Sequence, residues 1–209
     1  MIASLILLTL HQTPTAAPQG PSIKDFFPLV AGTKWQYLAT SEGPNTNITM
    51  VVGPAEKVGD DQAIPIVTRI MGRDVDKIYY YAKDSTVFIV AYNPKKPFPS
   101  ARPVLQIGEG GNARWDYRGD EDGFPLSVNC ESNLKGKRKV LGQDVDILEL
   151  KVDAVLGSDS VGMKFKQTAL YARGIGLVEM TEERKVNKNT YKKHLTLTGV
   201  EAPAGAGGQ

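Results

Sequence analysis

Few side chains in this 209-residue chain could carry acid–base or nucleophilic chemistry. Its two histidines are His11 and His194, and its one cysteine is Cys130. A nucleophilic thiol needs a base beside it, and zinc sites are built largely from several histidines and cysteines. Apolar residues alternate with small or polar ones over residues 124–130, which predicts that Cys130 is a buried thiol on a strand. The sequence therefore predicts no catalytic residue, no disulfide and no metal site.

Acidic residues cluster at Asp116 and residues 120–122, between glycines. Loops rich in carboxylates can bind calcium, but this spacing departs from the regular Asp-x-Asp-x-Asp-Gly loop and lacks its closing glutamate. We interpret the cluster as a solvated turn.

Gly174 and Gly176 are followed by neither the third glycine nor the helix of a dinucleotide site, so no cofactor is predicted. Two carboxylates that meet only in the folded chain could still cleave a glycoside.

The two tryptophans occur in the same phrase, 80 residues apart: Lys34-Trp35-Gln36-Tyr37 and Arg114-Trp115-Asp116-Tyr117. Residues two apart on a strand project from the same face. One interpretation is a pair of aromatic platforms for an apolar or sugar ligand. The other is a pair of equivalent core anchors, the usual role of large aromatic side chains. The candidate ligand-binding residues are therefore Trp35, Tyr37, Trp115 and Tyr117.

Further similar segments follow the two phrases in the same order: residues 59–64 resemble residues 142–147, and residues 81–83 resemble residues 171–173. We interpret them as a diverged internal duplication. The predicted organisation is a first β unit over residues 23–92, a connection rich in proline and glycine over 93–112, and a second β unit over 113–200. Four prolines exclude a regular helix from the connection.

Between these landmarks the apolar residues alternate with period two. Residues 161–171 are the clearest case, because the odd positions are largely apolar while Lys164 and Lys166 point the other way. Runs of this kind recur between turn residues, which predicts an all-β protein made of antiparallel meanders. They form either one curved sheet or half-barrel, or two packed sheets. Ser22 followed by Asp25 predicts a short helical turn before the first strand.

The ends of the chain differ from the rest in composition. Residues 1–22 carry no charged side chain, and residues 2–10 are an apolar run that is too short to span a bilayer. Small residues follow at Ala16 and Ala17, so we predict a signal peptide over residues 1–17 and a secreted or periplasmic protein. Residues 201–209 have nothing to bury and are predicted to be a disordered tail.

The formal net charge is +2, from 25 basic and 23 acidic residues. A nucleic-acid partner would favour a clearly basic face, so none is predicted. No other stretch has transmembrane length, and a membrane-spanning protein is not expected. The basic residues 184–193 flank a predicted hairpin, where they either solubilise it or contact anionic lipid or polysaccharide.

Two motifs carry a resemblance to known proteins. The chain opens with Phe27-Pro28-Leu29 followed by Gly32, Trp35 and Tyr37, and residues 171–178 read YARGIGLV. These phrases resemble those of a group of bacterial exported proteins of uncharacterised function. The resemblance spans most of residues 26–200 and implies an exported bacterial β-protein. The chain is also similar in general character to small envelope proteins with open, curved sheets, such as lipoprotein carriers.

Three functions follow from these observations. The preferred one is a non-enzymatic binding or structural module of the bacterial envelope. The second is a carrier that holds an apolar, lipid-like molecule on a curved sheet, with the four candidate aromatics in its lining. The third and least favoured is a carboxylate-based hydrolase. Partners are accordingly an apolar small molecule or an envelope component.

Overall fold

The computed structural model describes residues 20–121, 123–157 and 162–203. The predicted signal peptide and residues 204–209 of the predicted tail lie outside these ranges. The elements in chain order are α1 (Ile23–Phe26), β1 (Lys34–Ser41), β2 (Thr46–Val52), β3 (Glu56–Val58), β4 (Asp61–Ile70), β5 (Arg73–Lys83), β6 (Thr86–Ala91), β7 (Arg102–Gln106), a 3₁₀ turn (Glu109–Gly111), β8 (Asn112–Glu121), β9 (Phe124–Val140), β10 (Gln143–Leu156), β11 (Met163–Ala172), β12 (Gly176–Val186) and β13 (Asn189–Glu201).

The strands form one antiparallel sheet in the order β7-β6-β5-β4-β2-β1-β13-β12-β11-β10-β9-β8, with β3 paired to β4 beside this path. Neighbours in the sheet are neighbours in the chain, except that β2 pairs with β4, past the short strand β3, and that the last strand β13 pairs along β1. The sheet curls into a nearly closed barrel whose two end strands are β7 and β8. The all-β prediction is confirmed, and of the two arrangements left open the protein adopts the single curved sheet.

Each aromatic phrase lies on the first strand of a run of six in this order, β1 for Trp35 and β8 for Trp115. The connection predicted at residues 93–112 contains β7 and the 3₁₀ turn. The duplication itself stays an interpretation of the sequence.

The strands form where alternation predicts them, and hairpin turns separate them. In β1, Trp35, Tyr37 and Ala39 are buried while Lys34 and Gln36 are exposed. The hairpins require left-handed backbone at their tips, where Asp84 and Asn187 have φ of 51° and 55°. Asp and Asn tolerate this region better than most residues, because their short side chains can bond the local backbone.

The strand directions define the two ends of the barrel. At the mouth the chain turns between β1 and β2, β4 and β5, β8 and β9, and β12 and β13. At the opposite end, which we call the plug end, helix α1 covers the opening. Ile23 and Phe26 of α1 are fully buried, in a cluster with Val87, Leu105 and Leu148. The capping box predicted at Ser22 and Asp25 is present.

The barrel is closed between β7 and β8 by side chains, at a line that we call the seam. Trp115 Nε1 donates to the Pro103 carbonyl at 3.2 Å, and the fully buried Ser132 hydroxyl donates to the Gln106 carbonyl at 2.6 Å. Arg102 Nη2 donates to the Asp120 carbonyl at 2.9 Å. Every other junction in the strand order is a backbone ladder, whereas each of these bonds across the seam has a side-chain donor.

Candidate ligand-binding cavity

The barrel is hollow between the plug end and the mouth. Its interior holds a cavity of about 710 Å³, which is within the size range of small-molecule sites. The wall is mainly apolar because the inward positions of the strands carry Ile, Leu, Val and Met, among them Met50, Ile78, Val128, Val152 and Met180. Several of these side chains are only half-buried, so the interior is not filled by protein.

The floor of the cavity is built where the opening and closing motifs of the chain meet. Trp35 Nε1 donates to the Ile175 carbonyl at 2.6 Å, and the Tyr37 hydroxyl donates to the Leu177 carbonyl at 2.9 Å. Gly176 has a φ of +102°, and a Cβ added there would lie 3.3 Å from the Trp35 ring. A glycine is therefore needed for both the backbone conformation and the approach of the indole.

Helix α1 is fastened to the same turn. Gly174 N donates to the Asp25 carbonyl at 2.6 Å, and Arg173 Nη2 lies 2.9 Å from the Asp25 carboxylate. The Phe27 ring, just after α1, packs on Tyr80 and Tyr171 with centroids 5.3 and 6.0 Å apart. These contacts hold the plug and the floor together, with the Tyr80 and Tyr171 rings facing the cavity.

The floor carries no charge at neutral pH. Burial raises the pKa values of the Tyr37, Tyr80 and Tyr171 phenols well above the ordinary value, with smaller contributions from neighbouring ionisable groups. Desolvation disfavours the phenolate. These hydroxyls therefore remain neutral hydrogen-bonding groups in an otherwise apolar pocket.

The mouth, in contrast, is lined by charged side chains. On the seam side Arg102 pairs with Glu121, and its guanidinium stacks on the Phe98 ring at 3.7 Å from the centroid. Burial lowers the pKa of Arg102, but the hydrogen bond and charge of Glu121 outweigh this and raise it. The Arg102 Nε is buried and has no hydrogen-bond partner among the described residues.

The opposite side of the mouth has its own charged groups on the inner face of β12 and β13. Arg184 pairs with Glu182, and Lys193 lies across from Glu182 in the strand register. All three line the cavity. A molecule that fills the barrel thus meets an apolar interior and a neutral floor, with charged partners only where it emerges.

The four candidate aromatics occupy different positions around this cavity. Trp35, Tyr37 and Tyr117 are among its lining residues. Trp115 instead packs beside the seam, against the cluster that contains Cys130 and Leu148. Tyr117 is half-buried on β8 near the mouth, whereas Trp35 and Tyr37 are 4% and 1% exposed. In each phrase the two aromatic residues therefore project from one face of the strand, but the two phrases do not lie at the same depth in the barrel.

Other groups named from the sequence lie apart from the cavity floor. Cys130 is buried in the cavity wall between Trp115 and Val152, and desolvation raises its pKa to about 12. His194 is part-exposed, 3.4 Å from the Glu179 carboxylate. The acidic cluster is not a solvated turn as predicted, because Asp116, Asp120 and Glu121 lie on β8 and Glu121 pairs with Arg102. The Asp120 carboxylate accepts a hydrogen bond from Gly123 N at 2.6 Å in the turn that follows.

Sequence reasoning did not assign Arg102, Glu121, Tyr80 or Phe27 to the ligand-binding cavity, which all four of them line. Alternation places Tyr80 on the same face as Ile78, but it does not say that this face borders a void. Arg102 lies in the proline-rich connection, where no periodicity marks it.

Within the described ranges, no group of three or more potential metal ligands comes together, and no helix is long and apolar enough to cross a bilayer.

Comparisons with known proteins give a likeness of fold. No family model and no curated protein matches the chain. The crystal structure of a candidate lipoprotein from Parabacteroides distasonis is similar with a TM-score of 0.51 and 14% identity, over 84% of this chain and 98% of that one. A candidate exported protein with a YmcC-like fold from Bacteroides fragilis has a TM-score of 0.46 and 13% identity, over 85% and 99%. The chain thus shares its fold with the Parabacteroides protein.

Proposed function

We propose that this protein is an exported, non-enzymatic binding protein of the bacterial envelope that holds a lipid-like molecule inside its barrel. The observation that carries the proposal is the cavity of about 710 Å³, with its apolar wall and charged mouth. It favours the carrier over a purely structural module, because a structural barrel has no need of an unfilled interior.

The energetics favour a long apolar chain as the ligand. Each methylene buried contributes about 0.8 kcal/mol, so about ten methylenes contribute roughly 8 kcal/mol. Association costs are estimated at about 4–15 kcal/mol. Short chains should therefore bind weakly, while chains that fill the interior should bind well.

The distribution of charge orients such a ligand. Its apolar chain lies between the floor at Trp35 and Tyr37 and the aliphatic wall. Its polar group emerges at the mouth, beside Arg102, Arg184 and Lys193, because a charge would be poorly solvated at the floor. Two observations support the envelope location: residues 2–10 have signal-peptide character, and the similar Parabacteroides protein is described as a candidate lipoprotein.

Fluorescence titration with cis-parinaric acid, an emissive fatty acid, tests the binding site. Ala154 lies on the inner face of β10 and lines the cavity, so Ala154→Trp should fill the interior and weaken binding at least about tenfold. Val155 is the next residue on the same strand and faces outward, which makes Val155→Trp a matched control with unchanged binding. Equal affinity of the two variants, or no binding by the unmodified protein, would refute the carrier.

Export is tested separately, by mass spectrometry of the protein expressed in a Gram-negative host and recovered from the periplasm. The expected mature chain lacks residues 1–17 or a closely similar segment. Recovery of the intact chain only from the cytoplasm would contradict the proposed location and leave the binding result unaffected.

A further inference from the structure

Large apolar side chains stand exposed around the mouth. Nine such residues are exposed in the described part of the chain, and three of them, Val30, Leu141 and Val200, belong to the plug end. The other six lie at the mouth: Met71, Val75, Tyr92, Phe124, Val186 and Tyr191. The exposed apolar surface is therefore concentrated where the cavity opens.

Met71 is the most exposed of them, at 93%. It forms the tip of the β4–β5 hairpin with Gly72, and its φ is +51°. Two-residue hairpins of this kind favour Asn, Asp or Gly at the tip, because left-handed backbone is strained for other residues. Met71 is thus both strained and fully presented to solvent, which gives nothing to the stability of the free protein.

The β12–β13 hairpin supplies positive charge beside these apolar groups. Between residues 182 and 193, five side chains are basic and two are acidic. Tyr191 is 53% exposed and Val186 is 38% exposed on the same hairpin. Aromatic and aliphatic groups flanked by lysines are the composition that binds at the interface of an anionic bilayer.

We propose that the mouth end docks on an anionic lipid bilayer. The hairpin tips at Met71 and Tyr191 enter the headgroup region, while Lys188 and Lys192 contact the anionic headgroups. Docking would turn the cavity opening toward the membrane, so that a lipid could pass between bilayer and barrel without crossing water. The inference goes beyond ligand binding, because Met71, Tyr191, Lys188 and Lys192 are not among the residues that line the cavity.

Co-sedimentation with vesicles of mixed phosphatidylglycerol and phosphatidylcholine is the primary test. The unmodified protein should bind these vesicles, and added salt should weaken binding because exposed charges are screened. Each lysine near an anionic surface contributes about 1 kcal/mol, or about fivefold. Lys188→Gln and Lys192→Gln should therefore each weaken binding about fivefold. Equal binding to vesicles of phosphatidylcholine alone would overturn the proposal that the lysines contact anionic headgroups.

The chain offers a matched control for the apolar part. Leu141 precedes Gly142 at the tip of the β9–β10 hairpin, with a φ of +46° and 50% exposure, but it lies at the plug end. Met71→Ser should weaken vesicle binding several-fold, while Leu141→Ser should leave it unchanged. Equal losses of vesicle binding in both variants would overturn the assignment of the docking surface to the mouth.

Two further readouts separate the alternatives. Both serine variants should bind cis-parinaric acid like the unmodified protein, which shows that they fold and that docking is distinct from the cavity. Failure of all three proteins to bind the fatty acid, with docking intact, would refute the carrier and not the docking. A Met71-dependent dimer in analytical ultracentrifugation, together with no binding to vesicles, would show that a second copy covers this surface and would overturn the proposal.

Discussion

The hydrogen bond between Tyr37 and the Leu177 carbonyl should be a main source of stability at the cavity floor. Tyr37 is 1% exposed, and its hydroxyl reaches a residue 140 positions further along the chain at 2.9 Å. Tyr37→Phe keeps the ring but removes the donor, which leaves the partly buried Leu177 carbonyl with one hydrogen-bond partner fewer. Loss of a buried hydrogen-bond partner costs about 1–3 kcal/mol.

The assay is urea unfolding followed by tryptophan fluorescence, since Trp35 shares the floor and reports its collapse. With a slope of about 2 kcal/mol per M, the midpoint should fall by roughly 0.5–1.5 M. Tyr117→Phe is the matched control, because Tyr117 holds the equivalent place in the second phrase but is half-buried near the mouth. It should change stability by less than about 0.5 kcal/mol. Equal effects of the two substitutions would refute the reasoning that depth in the barrel distinguishes the phrases.

Three further predictions follow from the buried groups. Burial raises the pKa values of Tyr37 and Tyr171 in the folded chain, so above about pH 10 the unfolded chain loses protons that the folded chain keeps. Unfolding free energy should then fall by about 1.4 kcal/mol per pH unit for each phenol, and a constant urea midpoint from neutral to alkaline pH would disprove this. Burial raises the pKa of the Cys130 thiol to about 12, so the native protein should react with a disulfide reagent at least about 100-fold more slowly than the urea-unfolded chain; comparable rates would mean an accessible thiol. Phe26 is fully buried at the plug end, so Phe26→Ala should lower the unfolding free energy by about 3–5 kcal/mol in urea titrations, and a loss below about 1 kcal/mol would show that α1 does not seal the barrel.

Much of the fold could be predicted from local patterns. Alternation in β11 distinguishes its inner and outer faces because successive strand residues point to opposite sides. The capping box at Ser22 identifies α1, and Asn187 marks the β12–β13 turn. These features depend on neighbours a few positions away, so they can be seen in the sequence itself.

The candidate site could be predicted only in part. The paired phrases led to Trp35, Tyr37 and Tyr117, all of which line the cavity. Trp115 has the same sequence context, yet it lies beside the seam. The reason is that β8 is an end strand of the sheet, so the Trp115 indole reaches across the seam to the Pro103 carbonyl. Arg102 carries no signal in the sequence, since its role at the mouth depends on Glu121 coming close across the seam.

The sequence by itself determined which residues form strands and which face of each strand is apolar. Only the tertiary structure decided that β13 closes on β1, that residues 171–178 form the floor under Trp35 and Tyr37, and that the interior is open. The physical reason is that an inward apolar face has the same pattern whether it packs against another sheet or borders a void. The number of strands and their stagger fix the barrel's width, and these emerge from long-range pairing that no local pattern records.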